Sequence, residues 1–255
     1  MRGERPGAGG LGAWLRALRP VPVPADGRER LRVVAGATLG ILLAALLSPL
    51  AGASPWLVAP MGATAVLVFA VPASPMAQPW AVVAGNTLSA LVGVACVLWL
   101  GPTPWAAALA VGAAIALMLA LRCLHPPGGA SALLVVLSGV SDPAFAWNPV
   151  LINALLMVAG GMAFNTATGR PYPHPQATHA APDDEDAALD AVLARYNQVL
   201  DISRDDLKAL LHDVQWQEQQ RRLARLRCSD IMSREPVSVT HATPIVQARE
   251  LLTQH

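Results

Sequence analysis

Two short stretches of this sequence share a motif of Pro, Gly, Ala and a hydroxyl residue. The first is Pro60-Met61-Gly62-Ala63-Thr64, and the second is Pro127-Gly128-Gly129-Ala130-Ser131. Proline suits the first turn of a helix, where its missing N–H costs nothing. A helix that begins inside a membrane points unpaired N–H groups and its positive dipole end at whatever lies before it. Two such helix starts facing each other near the midplane, with the hydroxyls of Thr64 and Ser131, would form a neutral pocket for a small anion.

The small residues of the motifs have a second interpretation. In membrane helices, Gly and Ala commonly serve the close packing of one helix on another. The duplication and the placement of the prolines favour pocket lining over packing alone. The motif residues predicted to bind the substrate are Pro60, Gly62, Ala63, Thr64, Pro127, Gly128, Gly129, Ala130 and Ser131.

Two amides and one imidazole complete the candidate site. Asn86 and Asn153 are separated in the sequence by the same offset as Pro60 and Pro127. Each amide is expected either to make an interhelical hydrogen bond, worth roughly 0.6 kcal/mol, or to orient the ligand. His125 breaks the repeat, because its counterpart at this offset is Val58. As the only histidine of the apolar region, it suits a proton or ligand role, while a helix cap or a headgroup contact is the alternative.

Other kinds of chemistry find no support in the sequence. The apolar region has no Ser–His–Asp set and no paired carboxylates, so an enzyme is not expected. No second metal ligand lies at convincing spacing from His125, so no metal site is expected. The three cysteines have no paired spacing and are expected to be reduced. Nucleic acid is not an expected partner, because the N-terminal arginines adjoin the first hydrophobic segment.

Hydrophobic helices are the elements that would position these residues. Residues 33–169 contain two formal charges, Arg122 and Asp142, and a membrane-spanning helix needs roughly 20 apolar residues. The sequence predicts an all-α membrane protein of two pseudo-symmetric repeats, each with three hydrophobic segments. The middle segment of each repeat is a short, broken or re-entrant motif helix. The long segments are Val33–Leu50, Trp80–Leu100, Pro104–Leu121 and Trp147–Asn165, and the short ones are Pro55–Val71 and Pro126–Val140.

Charge and composition divide the chain into five parts. These are a basic N-terminal tail (1–30), the transmembrane domain (31–168), a Pro-rich linker (169–182), amphipathic helices (183–227) and a final segment (228–255). The arginine-rich tail places the N-terminus in the cytoplasm. Six crossings would put Arg122 inside, Asp142 outside and the helical tail in the cytoplasm, whereas re-entrant short segments would put Arg122 outside. A multi-pass protein of a cell membrane, such as a bacterial inner membrane, is expected, and a homo-oligomer is left open.

The second motif is preceded by His125, giving His125-Pro126-Pro127-Gly128-Gly129-Ala130. This run resembles the signature of the HPP family of integral membrane proteins. A second shared block of that family resembles Ala59–Ala65 followed by Pro72–Pro79, so the resemblance covers about residues 30–168. The family is usually described with four membrane spans, and some plant and cyanobacterial members are nitrite transporters. The resemblance therefore implies transport of a small anion such as nitrite.

A second resemblance begins at Cys228. Residues 229–239, followed by Thr243-Pro244, are similar to the opening of a CBS domain. Such domains usually occur in pairs and bind adenine nucleotides as regulatory ligands. Residues 228–255 are expected to form an incomplete CBS domain, so no cofactor is expected in this chain, and an adenine nucleotide would need a complete CBS pair.

These observations favour one function over two others. The leading hypothesis is a transporter or channel for a small, nitrite-like anion, coupled to protons through His125 and regulated by the CBS region in the full-length protein. The alternatives are a membrane-embedded sensor and a scaffold, which would signal to the cytoplasmic tail without transport. Anion flux in proteoliposomes separates transport from these alternatives.

Overall fold

The computed structural model describes residues 26–175, 189, 192–193, 201–227, 230 and 238–254. The chain divides into two compact units, residues 1–203 and 204–255. The predictions for residues 1–25 of the N-terminal tail, for most of the segment 176–200 and for most of the CBS-like motif lie outside the described residues. The CBS domain itself stays a prediction.

Within residues 26–175 the first unit contains six α-helices, and proline begins four of them. Side-chain caps mark the start of two helices. Asp26 caps the first helix by accepting a hydrogen bond from the Glu29 N–H at 2.7 Å. Thr103 caps the fourth helix by accepting from the Ala106 N–H at 3.2 Å. Short 3₁₀ turns occupy Ser48–Ala51 and Pro75–Ala77, and a π-turn over Ala146–Leu151 leads into the last helix. The helices are α1 Gly27–Leu47, α2 Pro60–Ala70, α3 Pro79–Leu100, α4 Pro104–Ala120, α5 Pro126–Leu137 and α6 Ile152–Ala167.

The described residues contain no strand, which confirms the all-helical prediction. In the described part of the chain, three helices are long and apolar enough to cross a membrane: Gly27–Ala51, Pro79–Leu100 and Ala146–Ala167. The two motif helices are short, with 11 residues in α2 and 12 in α5. At 1.5 Å per residue each is about 16–18 Å long, roughly half the hydrocarbon thickness of a bilayer.

The helices pack in two groups of three. Helices α1, α2 and α6 pack against one another, as do α3, α4 and α5, and α3 also contacts α6 and the π-turn. Glycines allow the helices of both groups to approach one another closely. A Cβ on Gly161 would lie 2.5 Å from the Val68 side chain, and one on Gly93 would lie 2.7 Å from the Ala132 carbonyl oxygen. In a membrane, where lipid is as apolar as the helices, such close packing is a main source of helix association.

Helix α2 starts and finishes at opposite ends of its group. Just before it, the Val58 N–H donates to the Asn153 side chain at 2.9 Å, near the start of α6. At its end, the Phe69 carbonyl accepts from Arg32 at 2.9 Å, near the start of α1. The Val68 carbonyl accepts from Asn165 at 2.8 Å, near the end of α6. Helix α2 therefore runs antiparallel to α1 and parallel to α6.

Helix α5 runs parallel to α3 in the same way. The residue before it, His125, contacts the Met76 carbonyl at 2.8 Å, just before α3 begins. Beyond its other end, a Cβ on Gly139 would lie 3.9 Å from Pro102, just after α3 finishes. Both motif helices thus lead from one end of the helical bundle to the other.

The second unit contains two described helices, α7 Arg204–Arg225 and α8 Ile245–Gln254. Helix α7 has no buried residue, with Asp205 and Asp206 in its first turn and Arg222 and Arg225 in its last. This distribution places each charge at the helix end whose dipole attracts it.

Candidate functional site

Four polar side chains from the two motif regions meet in one buried network. They are Thr64, Asn86, His125 and Ser131, none of which is more than 1% exposed. The Thr64 hydroxyl lies 2.9 Å from His125 Nε2, and the Ser131 hydroxyl lies 2.7 Å from Asn86 Oδ1. Asn86 Nδ2 closes the chain at 3.4 Å from the Thr64 oxygen. Asn86 therefore connects the hydroxyl of the first motif to the hydroxyl of the second.

The hydrogen-bond directions assign one tautomer to His125. A carbonyl only accepts, so Nδ1 donates to the Met76 carbonyl at 2.8 Å. In the neutral ring Nε2 is then an acceptor, and the Thr64 hydroxyl donates to it. The Asn86 amide donates to the Val82 carbonyl at 2.9 Å as well as to Thr64. With a neutral imidazole, each of the four side chains has a partner.

A close crossing of α3 and α5 holds the network together. A Cβ on Gly85 would lie 2.7 Å from the His125 Cβ, and one on Gly128 would lie 2.6 Å from the Gly85 carbonyl oxygen. Only glycine at these two positions lets the backbones approach this closely. His125 occupies the N-cap position of α5 in an extended conformation, and its side chain makes no capping hydrogen bond. The ring therefore serves the network and does not cap the helix.

The first turns of α2 and α5 have fewer unpaired backbone N–H groups than the motif predicts. Met61 N–H donates to the Val58 carbonyl at 3.0 Å, and Gly62 N–H to the Ala59 carbonyl at 3.1 Å. In α5, Pro126 and Pro127 have no N–H, and Gly128 N–H donates to the His125 carbonyl at 2.8 Å. The N–H groups of these first turns are thus paired with nearby backbone carbonyls. The polar atoms that remain to bind a ligand are side-chain atoms.

The structure does not bring the motif glycines Gly62 and Gly129 together. Gly62 and its neighbour Ala63 are exposed, and a Cβ on Gly62 would meet no atom within 4 Å. Ala130 is exposed and Gly129 half-buried, whereas the other motif positions, Pro60, Pro127 and Gly128, are buried. Thr64 and Ser131 occupy the inward faces of α2 and α5, which turns the preceding Gly-Ala pair away from the buried network.

Asn153 lies in a second, separate cluster. Its amide nitrogen donates to the Ser48 hydroxyl at 2.6 Å, and its oxygen accepts from the Val58 N–H at 2.9 Å. These bonds fasten the segment before α2 to α6. Asn86 and Asn153 therefore make different contacts, although the same sequence offset relates them to the two motifs.

An ionic cluster at one end of the bundle was not among the predicted site residues. Arg32 makes an ion pair with Glu29 at 2.7 Å and donates to the Asn165 side chain at 3.0 Å. Arg170 pairs with the same Glu29 at 3.0 Å. The i,i+3 spacing of Glu29 and Arg32 is a helix-pair signal, but Glu29 was assigned to the basic tail, and the first hydrophobic segment was predicted to begin only at Val33.

The segment between α2 and α3 is a second contact point that the sequence left unidentified. The Tyr172 hydroxyl donates to the Ala77 carbonyl at 2.7 Å, next to the Met76 carbonyl that His125 contacts. Burial raises the pKa of Tyr172, so its hydroxyl keeps the proton that it donates. The His174 N–H donates to the Gln78 side chain at 2.9 Å. The residues that follow α6 thus touch the segment that orients the imidazole.

The chemistry of the network follows from its neutral donors and acceptors. Among the described residues, no group of three or more His, Cys, Asp or Glu side chains could hold a metal ion. Two hydroxyls, an amide and an imidazole are suited to exchanging hydrogen bonds with a small polar ligand and to moving a proton on or off Nε2.

Comparison with known proteins agrees with this architecture. The family model for the HPP transmembrane region matches residues 22–173. A transmembrane protein of Dictyostelium discoideum is 41% identical over 126 residues, which make up 46% of this chain and 44% of that protein. A second one from the same organism is 39% identical over 126 residues, covering 46% of this chain and 40% of its own length. This chain thus spans less than half the length of these curated relatives.

No solved structure matches this chain. The family match covers all six helices of the first unit and every residue of the buried network. The relatives are transmembrane proteins, which agrees with the apolar helices described above. The chain belongs to the HPP family of transmembrane proteins.

Proposed function

We propose that this protein is a membrane transporter or channel for a small inorganic anion, with nitrite as the first candidate substrate. The observation that carries the proposal is the buried network of Thr64, Asn86, His125 and Ser131 between the two motifs. Polar groups inside membrane proteins are costly, and they commonly mark substrate and proton pathways. Nitrite itself comes from the resemblance to the family's nitrite transporters.

The donors of the network support an anion as the ligand. The hydroxyls of Thr64 and Ser131 and the amide of Asn86 donate to one another or to His125 in the described state. An entering anion would take over these donors one by one, and no lysine or arginine would hold it too tightly for release. Protonation of His125 would convert Nε2 from an acceptor to a donor, which couples proton uptake to anion binding.

We also infer that the two motif-bearing halves are pseudo-symmetric repeats that exchange their last helices. The residue pairs Asn86/Asn153 and Gly93/Gly160 share the offset that relates the two motifs. Helix α3 follows the first motif but packs with α4 and α5, while α6 follows the second motif but packs with α1 and α2. This exchange supports a site made by both halves.

A second candidate function is a membrane-embedded sensor that signals to its C-terminal region. It is favoured by the contacts of Tyr172 and His174 with the segment just before α3. The Ser74 hydroxyl also donates to the Asp201 carboxylate, which adds a contact from beyond the linker. In a full-length protein with a complete CBS pair, an adenine nucleotide would act on the transmembrane domain through these contacts.

The test is anion uptake by the full chain in proteoliposomes, with and without an imposed pH gradient. We expect nitrite uptake that increases with an inward proton gradient. Substitution of His125→Gln should reduce gradient-driven uptake at least about tenfold, because the amide of glutamine does not titrate. His212→Gln is the matched control, since His212 is exposed on α7 in the second unit.

Two results would contradict parts of this proposal. Wild-type protein that carries no anion of a small panel, in vesicles where reconstitution is verified, would leave the sensor as the better interpretation. A well-folded His125→Gln variant that keeps the wild-type pH dependence would exclude the proton-coupling role while leaving anion transport in place.

A further inference from the structure

Ser89 has a fully buried hydroxyl without a hydrogen-bond partner in the protein. The residue is 0% exposed, and its Oγ makes no hydrogen bond with another protein atom. Buried hydroxyls are paired in the great majority of cases, and leaving one unpaired costs about 1–3 kcal/mol. A serine inside a helix commonly bonds the carbonyl four residues earlier. Ser89 does not do so, so its hydroxyl is an unused donor.

The helical repeat places Ser89 at the crossing of α3 and α5. Gly85 and Gly93 lie one turn before and one turn after it, on the same face of α3. A Cβ on Gly85 would lie 2.7 Å from the His125 Cβ, and one on Gly93 would lie 2.7 Å from the Ala132 carbonyl oxygen. The Ser89 side chain therefore faces the stretch of α5 that lies between these two contacts.

That stretch of α5 contains Ser131, which belongs to the buried network. Ser131 lies next to Ala132 and donates to Asn86, which precedes Ser89 by just under one turn of α3. On a helix, residues at that spacing are neighbours. Ser89 is thus adjacent to the network but bonded to none of its members.

Ser89 also shares an asymmetry with His125. At the offset that relates the two motifs, the counterpart of Ser89 is Leu156, and that of His125 is Val58. Both residues lie at the α3–α5 crossing, and neither has a polar counterpart in the other half. The corresponding positions beside α2 and α6, Val58 and Leu156, are apolar, so the α3–α5 crossing has two polar side chains without a counterpart there.

We propose that Ser89 is a ligand-binding residue that donates its hydroxyl to an oxygen of a small anion held at the α3–α5 crossing. The inference rests on the proposed function and extends it by naming a binding residue outside both motifs. The anion would be contacted from α3 by Ser89 and from α5 by Ser131. The same donor would suit nitrite or another small oxyanion, because each offers a hydrogen-bond-accepting oxygen.

The test measures binding and stability in the same variants. Full-length wild-type protein, Ser89→Ala and Ser89→Cys are compared for the nitrite concentration that gives half-maximal uptake. We expect this concentration to rise about tenfold in Ser89→Ala, the loss that corresponds to one hydrogen bond to a charged group. Ser89→Cys, which keeps the volume but has a weak donor, should show a similar rise. Ser138→Ala, at the exposed C-cap of α5, is the control.

Thermal unfolding separates binding from packing. Without ligand, Ser89→Ala should unfold at the wild-type temperature or above it, because the variant loses an unpaired hydroxyl. Millimolar nitrite should raise the unfolding temperature of the wild type but not that of Ser89→Ala. A variant with unchanged half-maximal concentration and the full nitrite-induced shift would overturn the role of Ser89.

The two proposals fail in different ways. If the wild type carries no anion but shows a nitrite-induced shift that Ser89→Ala lacks, the binding role stands and the transport proposal falls. If the wild type shows neither uptake nor a shift with nitrite, nitrate or formate, both proposals are overturned.

Discussion

Asn86 links the two motif helices, because both the nitrogen and the oxygen of its side-chain amide make hydrogen bonds. Its nitrogen donates toward Thr64 on α2, and its oxygen accepts from Ser131 on α5. Thr64 depends on this arrangement, since its hydroxyl donates to His125 Nε2 and accepts from Asn86. Because all of these groups are buried, removal of one member leaves another unpaired.

Substitution of Thr64→Val tests whether the network binds a ligand or only stabilises the fold. The change keeps the shape of the side chain but removes the hydroxyl that pairs with His125. We expect anion uptake to fall at least about tenfold and the free energy of unfolding to fall by about 1–3 kcal/mol. Uptake in proteoliposomes and thermal unfolding in detergent measure the two effects.

Thr103→Val is the matched control for this substitution. Thr103 caps α4 through the Ala106 N–H at 3.2 Å and takes no part in the network. Its loss should cost about 1 kcal/mol of stability and leave the uptake of folded protein unchanged. If Thr64→Val resembles this control in uptake, the network is a scaffold and not a binding site.

At the scale of elements, the α3–α5 crossing decides where the imidazole lies. Gly128 lies against the Gly85 backbone, while a Cβ on Gly129, its neighbour in the motif, would make only an ordinary van der Waals contact with the Val111 side chain at 4.0 Å. Two adjacent glycines of one motif thus have different structural roles. Gly128 permits the crossing, and Gly129 is not needed for it.

The pair Gly128→Ala and Gly129→Ala tests this difference directly. A Cβ on Gly128 would lie 2.6 Å from the Gly85 carbonyl oxygen, so we expect a loss of about 1–3 kcal/mol from overpacking. Gly129→Ala should be neutral or should stabilise α5 by up to about 1 kcal/mol through helix propensity. Thermal unfolding of both variants in the same detergent gives the comparison, and equal unfolding temperatures would refute the assigned crossing.

For the whole molecule, the helix directions agree with the six-crossing hypothesis, which stays a prediction. Helix α5 runs parallel to α3, and α2 runs parallel to α6, as expected when every helix reverses the direction of the one before it. Three exposed tryptophans of the first unit lie at helix ends, as interfacial aromatic residues do: Trp80 lies in the first turn of α3, Trp99 near its end, and Trp105 in the first turn of α4.

Cysteine labelling at Arg122 and Asp142 tests the number of crossings. We replace each residue in turn by cysteine, in a background with Cys228→Ser, and label intact cells with a membrane-impermeant maleimide. Six crossings predict that Asp142→Cys is labelled from outside and that Arg122→Cys reacts only after the membrane is opened. Labelling of both from outside would instead establish four crossings with re-entrant motif helices. Cys96 and Cys123 are buried and should contribute little background.

The sequence by itself determined the order and approximate ends of the helices. Proline starts α2, α3, α4 and α5, and the apolar runs set their extent, because both signals are local. The start of α1 differs most from its predicted segment. It begins at Gly27 and not at Val33, because the Asp26 cap and a charged first turn extend the helix beyond the apolar run. The hydropathy pattern does not detect a helical turn that is charged and stabilised by a cap.

Only the tertiary structure decided which polar residues meet. Thr64, Asn86, His125 and Ser131 were all candidates from the sequence, but so were Gly62, Ala63, Ala130 and Asn153, which lie elsewhere. The motif does not show which helix face turns inward, because that depends on the packing partners of α2 and α5. Ser89 and the contacts of Arg32 with Asn165 and the Phe69 carbonyl gave no signal for the same reason, because they become visible only when distant segments are in contact.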